Sequence, residues 1–235
     1  MAKGRGRRLI QFLHRTANRW SLFPAGFLPL PSRPASRLFA FDRGKPIDRF
    51  LIERFLERNA ADIRGRALEV GEKLYLAKFG GDRVARADVL HAVPGNPEAT
   101  IVGDLVSGNG LGWGLFDCLV ITQTLHVIYD IHSATSNIHR LLRKGGTALV
   151  SIPVISQISR YDADRWGDYW RMTPDGAKRL FAEVFSPSRV TVEAFGNVRL
   201  AAAFLYGLSV EEIPPAALIE NDPDYPLMVF IRAVK

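Results

Sequence analysis

The 235-residue chain is 47% apolar and 23% charged, enough to bury one sizeable core; this excludes a disordered tail or a small disulfide-stapled fold and points to one large domain with a short extra segment. Its single cysteine, Cys118, sits in "FDCLVI"; no intrachain disulfide can form, a reducing cytoplasmic setting is expected, and the thiol reads as a small buried hydrophobe. The net charge of +7 is lopsided, because the first 41 residues carry +8 and the remainder sums to −1.

Residues 1–41 therefore read as a basic arm. Within it Leu9, Ile10, Phe12, Leu13 and Trp20 can form an apolar stripe at helical spacing, until the prolines of "LFPAGFLPLPSRP" end any helix. No apolar run approaches the roughly 18–20 residues of a membrane span, and the arginine-rich opening lacks the apolar stretch of a secretory signal. A packed lead-in, a peripheral contact with anionic lipid and a nucleic-acid arm all fit, the last least well.

A single domain is expected over 42–235. "PIDRFLIERFLERNAADI" has Phe50, Leu51, Ile52, Phe55 and Leu56 recurring on one side, with a first-turn signal at Pro46 to Asp48, and predicts a helix. Short apolar runs follow, "RALEV", "DRVARADV", "ATIVGD" and "FDCLVIT", then a helix "SATSNIHRLLR" and a strand "TALVSIPV". Strands alternating with helices predict a parallel sheet covered on both faces.

In such a sheet a ligand sits beyond the carboxyl ends of the strands. The first strand runs into "ALEVGEKLYLAKFG", where Glu69 and Gly71 begin a nucleotide-binding turn whose later glycines are missing. The second is expected to end at Asp88, with Val89, nineteen residues beyond Glu69, a spacing that suits an acid at the neighbouring strand tip accepting bonds from ribose hydroxyls. The third ends in Gly103, Asp104 and Leu105, and the fourth passes into "TQTLHVIYD", which holds Thr124 and His126.

In their order, "ALEVG", "ADV", "VGDL", "FDCLVITQTLHVIYD" and "IHRLLRKGGTALVSIP" resemble the class I S-adenosylmethionine-dependent methyltransferases of the broad small-molecule type, over about residues 65 to 185. The resemblance implies an α/β, Rossmann-like doubly wound sheet of about seven strands, mostly parallel, with an antiparallel last strand and helices on both faces. It also implies S-adenosylmethionine as cofactor, with Glu69, Gly71, Asp88, Val89, Asp104, Leu105 and Thr124 around it. Two departures stand out. Lys144 replaces a proline before Gly145 and Gly146, whose left-handed helix stop survives. Glu72, Lys73, Leu74 and Tyr75 replace the glycines that let the backbone approach the cofactor, and Gly80 with Gly81 shortens the following helix.

A nicotinamide-binding fold would need three glycines and a helix N-terminus facing a pyrophosphate, so this loop suits it less. A non-catalytic scaffold is the remaining alternative, since fold does not fix chemistry.

The segment "SQISRYDADRWGDYWRMTPDGAKRLFAEVF" interleaves Tyr161, Trp166, Tyr169 and Trp170 with Asp162, Asp164, Arg165, Asp168 and Arg171. Aromatic faces beside carboxylates suit a sugar or glycan acceptor, with Tyr161, Trp166, Trp170 and Arg171 as its contacts. Thr173 and Pro174 then open a helix. For the base that takes the acceptor proton, His126 comes first, its ordinary pKa near 6.5 suiting neutral pH. Asp162, Asp164 and Asp168 compete with it, and Asp164 is the acid assigned. No metal ligands are assigned. "RVTVEAFGN" and "YPLMVFIRAV" predict the last two strands, with a helix in "RLAAAFLYGLSVEEI" and a loop at "PPAALIENDPD". The activity expected is methyl transfer to an oxygen of a small polar acceptor.

Overall fold

A seven-stranded sheet organises the computed structural model, which describes residues 31–235. The strands are β1 (Gly65–Val70), β2 (Val84–His91), β3 (Ile101–Val102), β4 (Phe116–Thr122), β5 (Leu142–Pro153), β6 (Val190–Phe195) and β7 (Met228–Val234), in the order β3-β2-β1-β4-β5-β7-β6. Pairings among β1 to β5 are parallel, and β7 runs antiparallel to both β5 and β6. This agrees with the expected doubly wound sheet.

Alternation along the strands divides the core. Cys118 and Val120 of β4 face one side, with α1 (Ile47–Arg58) and α5 (Val198–Leu205); Leu119 and Ile121 face the other, with α2 (Ile131–Leu141) and α4 (Pro174–Ala182). Helix α1 buries Ile47, Leu51, Ile52, Phe55 and Leu56, and Phe55 stacks on Phe230 of β7 at 4.9 Å. Burying each such side chain is worth roughly 1.5–3 kcal/mol. Helix α4 starts as its sequence predicts, with the Thr173 hydroxyl accepting from the Gly176 amide and Pro174 in the first turn.

Several boundaries differ from expectation. Strand β2 continues three residues past Asp88, because Leu90 and His91 pair with Ile101 and Val102. Helix α2 stops at Leu141, where Leu142 is already extended to pair with Phe116; Gly145, at φ +81°, lies inside the β5 segment rather than at a helix end. Between β1 and β2 stands only a π-helical turn, Leu76–Gly80, followed by a 3-10 turn. The expected loop after the Pro pair holds a five-residue helix, α6 (Pro215–Ile219), and a four-residue helix, α3 (Arg160–Ala163), opens the aromatic segment.

The stripe of the basic arm, and with it the lipid and nucleic-acid readings, lies outside the described residues. Its last residues, 35–41, belong to the compact unit Ala35–Lys235, where the Ala35 amide donates to the Tyr206 carbonyl. The domain thus begins about seven residues earlier than expected. Among the described residues no helix is long and apolar enough to cross a membrane.

Candidate functional site

The chain leaves β1 towards one edge of the sheet, builds β2 and β3, then returns to β4 on the other side of β1. Two adjoining cavities open at this switch point, as the topology requires. The first, about 430 Å³, lies over the ends of β2, β3 and β4. The second, about 530 Å³, lies over β1 and β4, beneath α1 and the residues that follow β5. They share Val70, Thr122, Gln123 and Asp162.

At the end of β1, Gly71 adopts φ +90°, a conformation open to glycine and rarely to other residues, and nothing lies within 4 Å of where a Cβ would stand. The residues replacing the other glycines do not close the site. Lys73 and Leu74 are exposed and line neither cavity, whereas Glu72 and Tyr75 line the second. Glu69 also lines it. It is buried, and its carboxylate accepts from the amides of Tyr75 and Leu76 at 3.0 and 2.9 Å. Burial nevertheless raises its pKa to about 7, against the opposing pull of those amides. The folded chain therefore holds this proton more tightly than the unfolded chain. Its contribution to stability is complete below pH 4.5 and is lost as pH rises through about 7.

Beside Glu69, α1 presents two residues absent from the sequence assignments, Asp48 and Arg49. Asp48 is buried, which raises its pKa, and it accepts from Gln123 Nε2 at 3.1 Å. Arg49 donates to the Tyr75 hydroxyl at 2.9 Å. Gln123, at the end of β4, has φ +48°, a left-handed conformation costly for a side chain with a Cβ. Its Oε1 is buried without a hydrogen-bond partner, and so is Nδ1 of His126 three residues on. Buried polar atoms are ordinarily paired, so two orphans lining one cavity point to a ligand. His126 is 7% exposed, and burial lowers its pKa, opposed by the nearby Asp168 carboxylate. Nothing in the residue types announces Gln123; a glutamine carries no signal of its backbone angle.

The aromatic segment is divided by α3. Asp162 lines both cavities, Tyr161 the second and Trp166 the first. Asp164, two residues on, is exposed and lines neither, so it does not stand where the alternative base was expected; Asp162, named with it in the sequence, faces both cavities. Trp170 and Arg171 are likewise withdrawn as acceptor contacts. The Trp170 indole donates to the Ile128 carbonyl at 2.9 Å, and Arg171 clasps Asp168 at 2.6 and 3.0 Å. Both brace the segment from behind.

Asp88 is a further correction. It is 1% exposed and lines neither cavity; its carboxylate accepts from Arg66 Nε at 2.7 Å, Arg86 Nη2 at 3.2 Å and the Thr100 hydroxyl at 3.0 Å. Val89 is fully buried in the strand and also outside both cavities. The strand tip belongs instead to His91, which lines the first cavity and meets Trp166 edge-on at 5.9 Å. Asp104, Leu105 and Thr124 do line the first cavity. The Asp104 carboxylate accepts from the Val106 amide at 2.8 Å, which holds its pKa below the usual range. Among the described residues no cluster of histidine, cysteine and acids could hold a metal ion.

No protein-family model matches the chain, and no curated protein matches it by sequence. Solved structures do. A SAM-dependent methyltransferase from Archaeoglobus fulgidus superposes with a TM-score of 0.52 at 12% identity, over 79% of this chain and 94% of that one. The 1,6-didemethyltoxoflavin-N1-methyltransferase of Burkholderia thailandensis gives 0.51 at 15%, over 81% and 79%. The cyclase SpnF gives 0.52 at 16%, over 82% and 84%. The chain has the class I S-adenosylmethionine-dependent methyltransferase fold.

Proposed function

We propose that the protein is a methyltransferase that moves a methyl group from S-adenosylmethionine to an oxygen of a small polar acceptor such as a sugar or glycan intermediate. The observation that carries this reading is the pair of buried, partnerless atoms, Gln123 Oε1 and His126 Nδ1, where two cavities meet at the switch point of this fold. A cofactor with a nucleoside at one end and an amino acid at the other fits a site with this division. Asp104, Leu105 and Thr124 of the first cavity suit the nucleoside. Glu69, Asp48 and Arg49 of the second offer carboxylates and a guanidinium to a zwitterion. When bound, the cofactor supplies an activated methyl group at its sulfonium.

The residues of this chain then have three tasks. Gln123, fixed in its left-handed turn, orients groups at the junction of the cavities. His126, whose lowered pKa leaves it neutral at pH 7, takes the proton from the acceptor hydroxyl. Asp162, open to both cavities, aligns that hydroxyl. The nicotinamide alternative loses support from the turn after β1, where a π-helical turn replaces the long helix N-terminus that a pyrophosphate needs. The cyclase SpnF shares the fold, so a direct test is needed. Isothermal calorimetry with S-adenosylmethionine, its demethylated product and NAD provides it. Binding of the first two and not the third is expected; binding of NAD alone, or of none, rejects the reading.

Glu69 adds a pH signature. A ligand ammonium beside a carboxyl with a pKa of about 7 displaces its proton, so cofactor affinity is expected to rise with pH and level off above pH 7. Below that point the slope approaches about tenfold per pH unit. Calorimetry at pH 6 in buffers of different ionisation enthalpy should record close to one proton released, and Glu69→Gln should abolish the release. A pH-independent affinity in the wild-type chain would remove Glu69 from the ammonium site.

A further inference from the structure

The outer rim of the second cavity carries two arginines from distant parts of the chain, Arg37 ahead of α1 and Arg160 at the start of α3. Arg43, Arg49, Arg66 and Arg171 each approach a carboxylate within 4 Å, but among the described residues Arg37 and Arg160 do not. Most acids of the cavity are already engaged. Asp48 accepts from Gln123, Glu69 from two backbone amides, and Asp168 from Arg171. Asp162 is turned to both cavities.

The two arginine-bearing segments are fixed to one another. Arg171, anchored on Asp168, donates to the Gln157 carbonyl at 2.9 Å, and Gln157 Nε2 donates to the Arg37 carbonyl at 2.9 Å. The rim is therefore a built frame with two cations on it, and not a pair of unrelated surface side chains. Leu38, Phe41 and Tyr161 line the same cavity with 60, 62 and 68% of their surface exposed.

We propose that the acceptor is an organic oxyanion, bearing a phosphate or a carboxylate that Arg37 and Arg160 receive, with its ring or apolar part against Leu38, Phe41 and Tyr161. Planar guanidinium groups suit both oxyanions, because each can donate two parallel hydrogen bonds to them. The assignment rests on methyl transfer occurring at this site and narrows its acceptor to an anion.

The test uses the full-length chain at 0.15 M salt, a concentration that screens exposed charges to about 8 Å. Saturated with the demethylated cofactor, it is titrated with glucose 6-phosphate, glucuronate and glucose, which differ only in the charged group. At least one anion is expected to bind about tenfold or more tightly than glucose, as charge-assisted bonds allow; a gain with the phosphate alone or the carboxylate alone names the group. In the Arg37→Gln, Arg160→Gln double variant, or in either single variant if the double melts early, that advantage should shrink several-fold. Equal binding of all three sugars, binding of none, or an undiminished advantage in the variants overturns the proposal. So does loss of demethylated-cofactor affinity in the variants, which would place the arginines on the cofactor carboxylate. If wild-type protein fails to bind the cofactor product, methyl transfer is rejected, and the same titrations without it still decide the rim.

Discussion

His126→Ala is expected to lower methyl-transfer turnover by roughly 10² to 10⁴ while changing affinity for the demethylated cofactor by less than about threefold, the pattern for loss of general-base help. The histidine is only 7% exposed, and no hydrogen bond of the fold engages its Nδ1. Burial depresses its pKa, which keeps it deprotonated at neutral pH. At saturating cofactor, wild-type turnover should accordingly persist at pH 6.5 and fall only on the acid side of it. That limb of the pH–rate profile should vanish in His126→Ala. A variant with wild-type turnover would transfer the base role to Asp162, the other open group at the junction.

Asp88→Ala should act on stability and leave the cofactor alone. Burial by itself would raise the pKa of Asp88, but the hydrogen bonds from Arg66 and Thr100 and the charge of Arg66 outweigh it and hold the group below the usual carboxylate value. Its contribution is therefore present above about pH 4 and lost as pH falls below that. Removing one partner of a buried pair costs about 3–5 kcal/mol. Arg66 keeps 27% of its side chain exposed and can turn to water, so about 2–3 kcal/mol is expected here, or roughly 5–10 °C in melting temperature for a chain of this size. Urea denaturation at pH 7 and pH 3.5 should show the gap between wild type and variant closing at the lower pH. Cofactor affinity weakened tenfold with stability intact would restore Asp88 to the site.

Asp88 also shows where sequence reasoning stops. The succession of strands and helices and the first turn of α4 were legible because alternation, Pro174 and Thr173 act locally. The end of β2 was not, because it depends on a two-residue strand, Ile101–Val102, whose pairing carries β2 on to His91. The acid at the expected spacing thus lies three residues short of the strand tip, inside the sheet. In the aromatic segment Asp162 and Asp164 are equivalent by composition, and only the short helix Arg160–Ala163 turns one inward and leaves the other in water. The missing glycines were legible as a departure, but not their consequence. Lys73 and Leu74 point to solvent, and Gly71 alone supplies the left-handed turn.

The place of β7 in the sheet governs how the protein can be made. Of the seven strands it is the last to leave the ribosome, yet it lies between β5 and β6 and is hydrogen-bonded along both of its edges. Until residues 228–234 emerge, β5 presents a long apolar strand with an unpaired edge, and β6 has no neighbour on which to dock. Exposed edges of this kind recruit strands from other chains. The nascent polypeptide should therefore depend on chaperones late in synthesis, after five strands of the sheet have already been able to pair.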